Sequence, residues 1–262
     1  VTALHGIRRV VQRYLRVDVA RYPQADPLYP VARLLRAHGV SCVFDVGANI
    51  GQYASHIRRL GYEGLIVSVE PLTDAARELT AAAADDPRWM VENVAAGATV
   101  GEATLNVAGN SVSSSIARML PRHLAGAPAS ATVRTETVPL LTLDELADKY
   151  QPLLERTYIK VDTQGFERQV LDGAAHMLGR VAGVQLELSL GAALYEGQLE
   201  LAEAIGLMRT HGFALVAVLP GFTDTGTGEM LQCDGVFFRT VGEASMNTMS
   251  REEREPADRS VV

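Results

Sequence analysis

Cys42-Val43-Phe44-Asp45-Val46-Gly47-Ala48-Asn49-Ile50-Gly51-Gln52-Tyr53 is the stretch that decides the fold. Apolar and β-favouring residues run into an acid, a glycine-containing turn follows, and a helix-like segment opens behind it. The pattern predicts a buried parallel strand, a tight turn and a helix N-terminus. Gly47 and Gly51 let the backbone approach a ligand without an intervening Cβ. Their spacing, G-x-x-x-G, is neither the dinucleotide fingerprint G-x-G-x-x-G nor a phosphate loop with its Gly-Lys-Ser/Thr. Asp45 falls at the carboxyl edge of the strand, where open α/β sheets bind ligands. An acid aimed into that turn repels a pyrophosphate and suits a cofactor that carries cationic groups.

About twenty residues on, Leu65-Ile66-Val67-Ser68-Val69-Glu70-Pro71 is a second apolar strand that ends in an acid. Glu70 is placed to accept hydrogen bonds from both ribose hydroxyls of an adenosine, and Pro71 stops the strand. Together D-x-G-A-N-x-G and V-E-P resemble the first two motifs of the S-adenosylmethionine-dependent methyltransferases. The competing reading is an ordinary nucleotide-binding α/β protein, against which Asp45 counts.

Bulk properties narrow the class. The 262 residues suffice for one large α/β domain with little left over. A net charge of −7 argues against nucleic acid as partner, because phosphate binding needs a basic footprint. Cys42 and Cys233 both fall in strand-like runs and read as small buried hydrophobes of a reducing compartment. No apolar run approaches membrane-spanning length, so no stable membrane insertion is expected. Residues 1–17 carry Arg8, Arg9, Arg13 and Arg16 but lack the apolar core of a signal peptide. A cytoplasmic protein is the expectation.

Taken in order, Leu4, Ile7, Val11, Tyr14 and Leu15 recur at helical spacing between the arginines. This predicts an N-terminal helical segment, 1–40, packed on the core or on a second subunit of a homodimer. A membrane-surface helix is the alternative. Residues 41–240 alternate strand and helix patterns, which predicts a doubly wound sheet. Residues 89–95 read as a third strand, with Asn93 and Ala95 bracketing an adenine. Residues 103–107 and 132–143 read as strands around a polar loop, 110–128, rich in serine and arginine. Such a loop is often a lid. Thr142 with Glu145 predicts a capped helix start. Residues 241–262 are polar and charged and read as a mobile tail.

The chain resembles the FkbM-type methyltransferases over residues 42–239. The resemblance is carried by Asp45 to Tyr53, Val69-Glu70-Pro71, Ser113-Ser114-Ser115, Thr142-Leu143-Asp144, Ile159-Lys160-Val161-Asp162-Thr163-Gln164-Gly165-Phe166-Glu167 and Cys233-Asp234-Gly235-Val236-Phe237-Phe238. Singly these are weak; in this order and spacing they are specific. Many family members have an acid where this chain has Gln164. The Asp-Thr-Gln-Gly form, with Leu194-Tyr195-Glu196-Gly197-Gln198 downstream, looks like the branch that acts on sugars. The resemblance implies a Rossmann-like, seven-stranded class I methyltransferase sheet with helices on both faces and an inserted hairpin or lid. It implies S-adenosyl-L-methionine as cofactor, held by Asp45, Gly47, Asn49, Gly51, Tyr53, Glu70, Asn93, Ala95 and Ser114. The implied reaction is O-methylation of a sugar hydroxyl, in an oligosaccharide, a polysaccharide precursor or a glycolipid head. A polyketide or other secondary metabolite is the alternative acceptor, and a non-catalytic cofactor-binding subunit the reading from another class.

Methyl transfer is an in-line displacement, so the protein must align the acceptor oxygen and remove its proton. Candidates for the base are Asp162, Glu187 and His123. Glu187 in an apolar strand gains a raised pKa by desolvation. Asp162, Glu187 and Asp234 also form a candidate Mg²⁺ set, since carboxylates suit that ion; the plainer reading has strand-end acids flanking the cofactor. Gln164, Tyr195, Glu196 and Gln198 are the candidate acceptor-binding residues; for the last three the plainer reading is a helix-capping turn.

Overall fold

In the computed structural model residues 22–224 and 226–240 are described. The expected N-terminal helix at 4–15 and the tail at 241–262 lie outside them. Helix α1 (Tyr29–Ala37) leads into β1 (Cys42–Val46), whose five residues are all buried. Then come α2 (Gln52–Arg59), β2 (Leu65–Val69), α3 (Thr73–Ala83) and β3 (Trp89–Glu92). Two short-range additions follow, β4 (Ala95–Ala96) and β5 (Gly101–Ala108), then α4 (Pro121–Gly126) and β6 (Thr132–Leu141). The chain continues with α5 (Leu143–Tyr150), β7 (Thr157–Val161), α6 (Glu167–Asp172), α7 (Ala175–Leu178) and β8 (Gly183–Ser189). It closes with α8 (Leu201–Thr210), β9 (Phe213–Pro220) and β10 (Gln232–Arg239).

Seven strands form one sheet in the order β3-β2-β1-β7-β8-β10-β9. Pairing is parallel from β3 to β8, and β10 runs antiparallel to both β8 and β9. This is the Rossmann-like sheet that the resemblance implies. Alternate residues of each strand face opposite layers. Phe44, Ile159, Val161 and Leu186 pack beneath α5 to α8, in a core with Leu146, Val170, Met177 and Met208. Val43, Ile66, Tyr158 and Phe238 pack on the other side with Leu35 of α1 and Ile57 of α2. Burying each such large side chain is worth about 1.5–3 kcal/mol. Both cysteines are free and buried. Among the described residues no helix is long and apolar enough to cross a membrane.

The third strand is shorter than the sequence suggests. It ends at Glu92, and Ala95–Ala96 joins a separate three-stranded sheet, β4-β6-β5. The cause is Asn93, whose side-chain amide donates to the carbonyls of Glu70 (2.9 Å) and Pro71 (3.1 Å) and turns the chain away. The polar excursion between β5 and β6 is also more ordered than a plain loop. It contains 3₁₀ turns at Ser111–Ser113 and Pro128–Ser130 in addition to α4. The Thr142 capping box is present, with both reciprocal hydrogen bonds at 3.2 Å.

Candidate active site

The carboxyl ends of β1, β2 and β7 open into a cleft of about 360 Å³. Its floor is the turn after β1. The amides of Gly47 and Ala48 donate to Val69 O at 2.9 and 3.2 Å, which ties the turn to β2. Gly47 has φ +74°, and a Cβ there would lie 1.8 Å from the carbonyl oxygen of Asp162. Only glycine fits between these two strand ends. Asn49 also takes a left-handed backbone, φ 48°, a conformation asparagine tolerates better than most residues. That geometry aims its amide at Glu70 Oε2, 2.8 Å away, while Leu72 N donates to Glu70 Oε1 at 2.9 Å. Each Glu70 oxygen accepts one backbone hydrogen bond, and the carboxylate retains acceptor capacity for two ligand hydroxyls. Burial pushes the Glu70 carboxyl up to about 7, against the pull of those two amides.

Behind the turn lies an ammonium that sequence reasoning missed. Lys160 on β7 pairs in register with Asp45 on β1. Its Nζ lies 3.2 Å from Asp45 Oδ1, 3.4 Å from Asp162 Oδ2 and 3.3 Å from Gly47 O. The Tyr53 ring sits against it, 5.5 Å from Nζ to the centroid. The available signal was a lysine inside the apolar run Tyr158 to Val161, since a buried lysine requires a partner. Asp45 is entirely shielded from water and does not line the cleft. It anchors Lys160 instead of touching a cofactor. Gly51 and Asn93 do not line the cleft either: Gly51 is buried and N-caps α2, packed on Leu79 and Trp89, and the exposed Asn93 props the Glu70 turn. Gly47, Asn49, Tyr53, Glu70, Ala95 and Ser114 do line the cleft.

Asp162, Gln164 and Asp234 line the cleft too. Gln164 is left-handed, φ 56°, in the turn after β7. Its amide nitrogen donates to Asp162 Oδ1 and to Glu187 Oε2, both at 2.7 Å. Glu167 Oε1 holds this turn by accepting from Thr163 N and Gly165 N, each at 3.0 Å. The Ser115 hydroxyl donates to Gln164 O at 2.7 Å. Burial, then the charges of Asp162 and Glu167, push Glu187 well above the ordinary carboxyl range. Asp234, opposite Glu187 in the sheet register, is pushed up to about 6 by burial and by Asp162.

This arrangement does not suit the candidate Mg²⁺ set. The amide donors of Gln164 stand between Asp162 and Glu187, where a cation would need oxygen ligands. Among the described residues no three His, Cys, Asp or Glu side chains converge as metal ligands.

Three further expectations are corrected. His123, a candidate base, does not line the cleft. It is 4% exposed, stacked on Phe222 and edge-on to Tyr195, and lies within hydrogen-bonding distance of the Ser130 hydroxyl, 3.2 Å. Tyr195 and Gln198 point inward rather than toward an acceptor. The Tyr195 hydroxyl donates to Ser113 O at 3.1 Å, and Gln198 Oε1 accepts from Leu194 N at 2.9 Å. Glu196 is exposed and paired with Arg118 at 3.1 Å. The three alternate in a tight turn, so two of the polar side chains close it and the third reaches solvent.

The model of the methyltransferase FkbM domain matches residues 45–215. Curated proteins give no match. Among solved structures, a magnesium protoporphyrin IX methyltransferase from Synechocystis PCC 6803 with bound SAM is similar at 10% identity, covering 90% of this chain and 96% of that one, with a TM-score of 0.44. A 1,6-didemethyltoxoflavin-N1-methyltransferase from Burkholderia thailandensis has 14% identity, coverage of 92% and 87%, and a TM-score of 0.39. An S-adenosylmethionine-dependent methyltransferase from Mesorhizobium loti has 8% identity, coverage of 82% and 99%, and a TM-score of 0.41.

Proposed function

The chain belongs to the FkbM methyltransferase family, and from that premise we propose that it transfers a methyl group from S-adenosylmethionine to a sugar hydroxyl. The observation that carries the cofactor half is Glu70, held by the Asn49 and Leu72 amides at the mouth of the glycine turn. Its free acceptor capacity matches a ribose diol. The cleft also suits a cation. Glu70 and Asp162 line it, and Lys160 is matched by two aspartates. When bound, S-adenosylmethionine supplies an electrophilic methyl on a cationic sulfur.

The protein's own part is alignment and proton removal. Ala95, Ala96 and Phe166 give the cleft an apolar wall beside Glu70. Asp162 stands on the cleft surface with one oxygen on Lys160 and the other on Gln164. A lone pair on that carboxylate would take the acceptor hydroxyl proton as the methyl left the cofactor's sulfur for that oxygen, the S–C bond breaking as the O–C bond formed. Glu187 sits behind the Gln164 amide and supports the orientation of that turn. Transfer of label from methyl-labelled cofactor to a panel of glycosides, glycolipids and polyketides tests the reading. Labelled methyl ethers of sugars are the expected product. Label appearing only in polyketides overturns the acceptor class.

A further inference from the structure

The cleft runs along the carboxyl edge of the sheet from Glu70 after β2, past Lys160 on β7 and Asp162 just after it, to Gln185 on β8 and Asp234 on β10, on the far side in the strand order. Tyr53 meets this second lobe through its hydroxyl on Gln185, and Leu28 and His56 also line the cleft. Its polar groups are fixed in place. Gln185 is 1% exposed, and its Oε1 accepts from the hydroxyls of Tyr53 (3.3 Å) and Tyr158 (3.2 Å). That sets the orientation of the amide and leaves its NH₂ as the donor side, toward Asp234.

Among the described residues the lobe offers no unpaired cation. Lys160 donates to the Gly47 carbonyl and its charge is matched by Asp45 and Asp162. His56 Nε2 is 2.7 Å from Asp26 Oδ2. Among the described residues no arginine lines the cleft. The free groups are carboxylate oxygens and a hydroxyl, which accept from alcohols and oppose anions. Leu28 and the Tyr53 ring add apolar surface for the C–H face of a ring.

Resting on the sugar reading above, we propose that this lobe is the acceptor site and that it selects an uncharged polyhydroxyl ring over its phosphorylated or carboxylated counterparts. Asp234 is the residue that discriminates: it accepts from a hydroxyl and repels a phosphate or uronate at the same position.

The test uses the full chain, labelled S-adenosylmethionine and matched acceptors. These are the methyl glycosides of glucose, mannose and galactose, their 6-phosphates, and the corresponding uronides. The neutral members should show kcat/KM at least about a hundredfold above the anionic ones, the scale expected where a like charge opposes binding. Asp234→Asn should raise KM for the neutral glycoside about tenfold, as expected for one hydrogen bond to a charged group. It should also shrink the discrimination against the anions, with S-adenosylhomocysteine affinity by calorimetry unchanged. Tyr53→Phe keeps the ring and should raise KM severalfold, and it carries the comparison if Asp234→Asn does not fold. Equal or faster turnover of phosphates or uronides overturns the inference and leaves the sugar reading standing. So does an unchanged KM in the folded variants. Binding of S-adenosylhomocysteine without methylation of any glycoside, neutral or anionic, overturns the sugar reading and this inference with it.

Discussion

Lys160 Nζ sits 3.2 Å from Asp45 Oδ1 inside the sheet, where the aspartate has no contact with water. Burial pulls the lysine down, but the charges of Asp162 and Asp45 outweigh it and hold the ammonium above its ordinary range. Burial pushes Asp45 up. Each charge is tolerable only with the other. Lys160→Met therefore leaves Asp45 buried and unpaired, and the expected loss is about 3–5 kcal/mol in denaturant unfolding. The double variant Lys160→Met with Asp45→Asn should recover most of that loss. A single variant as stable as wild type would show that the pair is dispensable.

Glu70 links cofactor affinity to pH. Its carboxyl is raised to about 7 mainly by burial, and ribose hydroxyls donate best to the ionised form. Binding therefore releases a proton below that value. S-adenosylhomocysteine should bind about tenfold more weakly one unit below the pKa than on the plateau above it. Calorimetry in two buffers of different ionisation heat reads the proton directly. Glu70→Gln should flatten the pH dependence and weaken binding about tenfold to a hundredfold, the equivalent of one hydrogen bond to a charge. Equal affinity in the variant would remove Glu70 from the cofactor site.

What the sequence shows and what it hides divides along the range of the interactions. Parallel strands buried on both faces read as unbroken apolar runs, so β1, β2, β7 and β8 are visible in the sequence. The Thr142–Glu145 box is visible because its parts are three residues apart. The role of Asp45 is not, because it depends on Lys160 standing opposite in a strand more than a hundred residues away. His123 looks like a loop residue from its polar neighbours. Its burial comes from Phe222 and Tyr195, which arrive from distant segments.

That packing gives His123 its own pH signature. Burial lowers its pKa below the usual 6.5, so the folded ring stays neutral where the unfolded chain takes up a proton. Its contribution to stability is present above about 6.5 and is lost as pH falls through and below that value. His123→Phe should flatten the acid limb of thermal stability between about pH 7 and 5, with kcat at neutral pH close to wild type. A kcat loss of a hundredfold in a folded variant would instead return His123 to the chemistry.

Gln164 tests the metal question in the reverse direction. Its amide donates to Asp162 and Glu187 at 2.7 Å each. Wild-type turnover should be indifferent to EDTA. Gln164→Glu replaces those donors with a third carboxylate beside two others, which disfavours the cluster unless a cation enters. The variant should lose activity and regain part of it with added Mg²⁺. EDTA inactivation of the wild type, reversed by Mg²⁺, would overturn the donor assignment of Gln164.

Asp162 and Glu187 are separated by position. Asp162 stands on the cleft surface, oriented by Lys160 and Gln164, whereas Glu187 meets the cleft only through the Gln164 amide. If Asp162 takes the acceptor proton, Asp162→Asn keeps the shape and removes the base. Its kcat should fall by about 10²–10⁴, the usual worth of a placed proton acceptor. Glu187→Gln changes only the partner of an already oriented amide, and its kcat should fall by less than about tenfold. Cofactor affinity should hold in both, because neither side chain hydrogen-bonds to Glu70 or to the glycine turn, and the Asp162 backbone against Gly47 is unchanged by the substitution. The opposite ranking, with Glu187→Gln the more damaged enzyme, would place proton removal on Glu187 and make Asp162 its support.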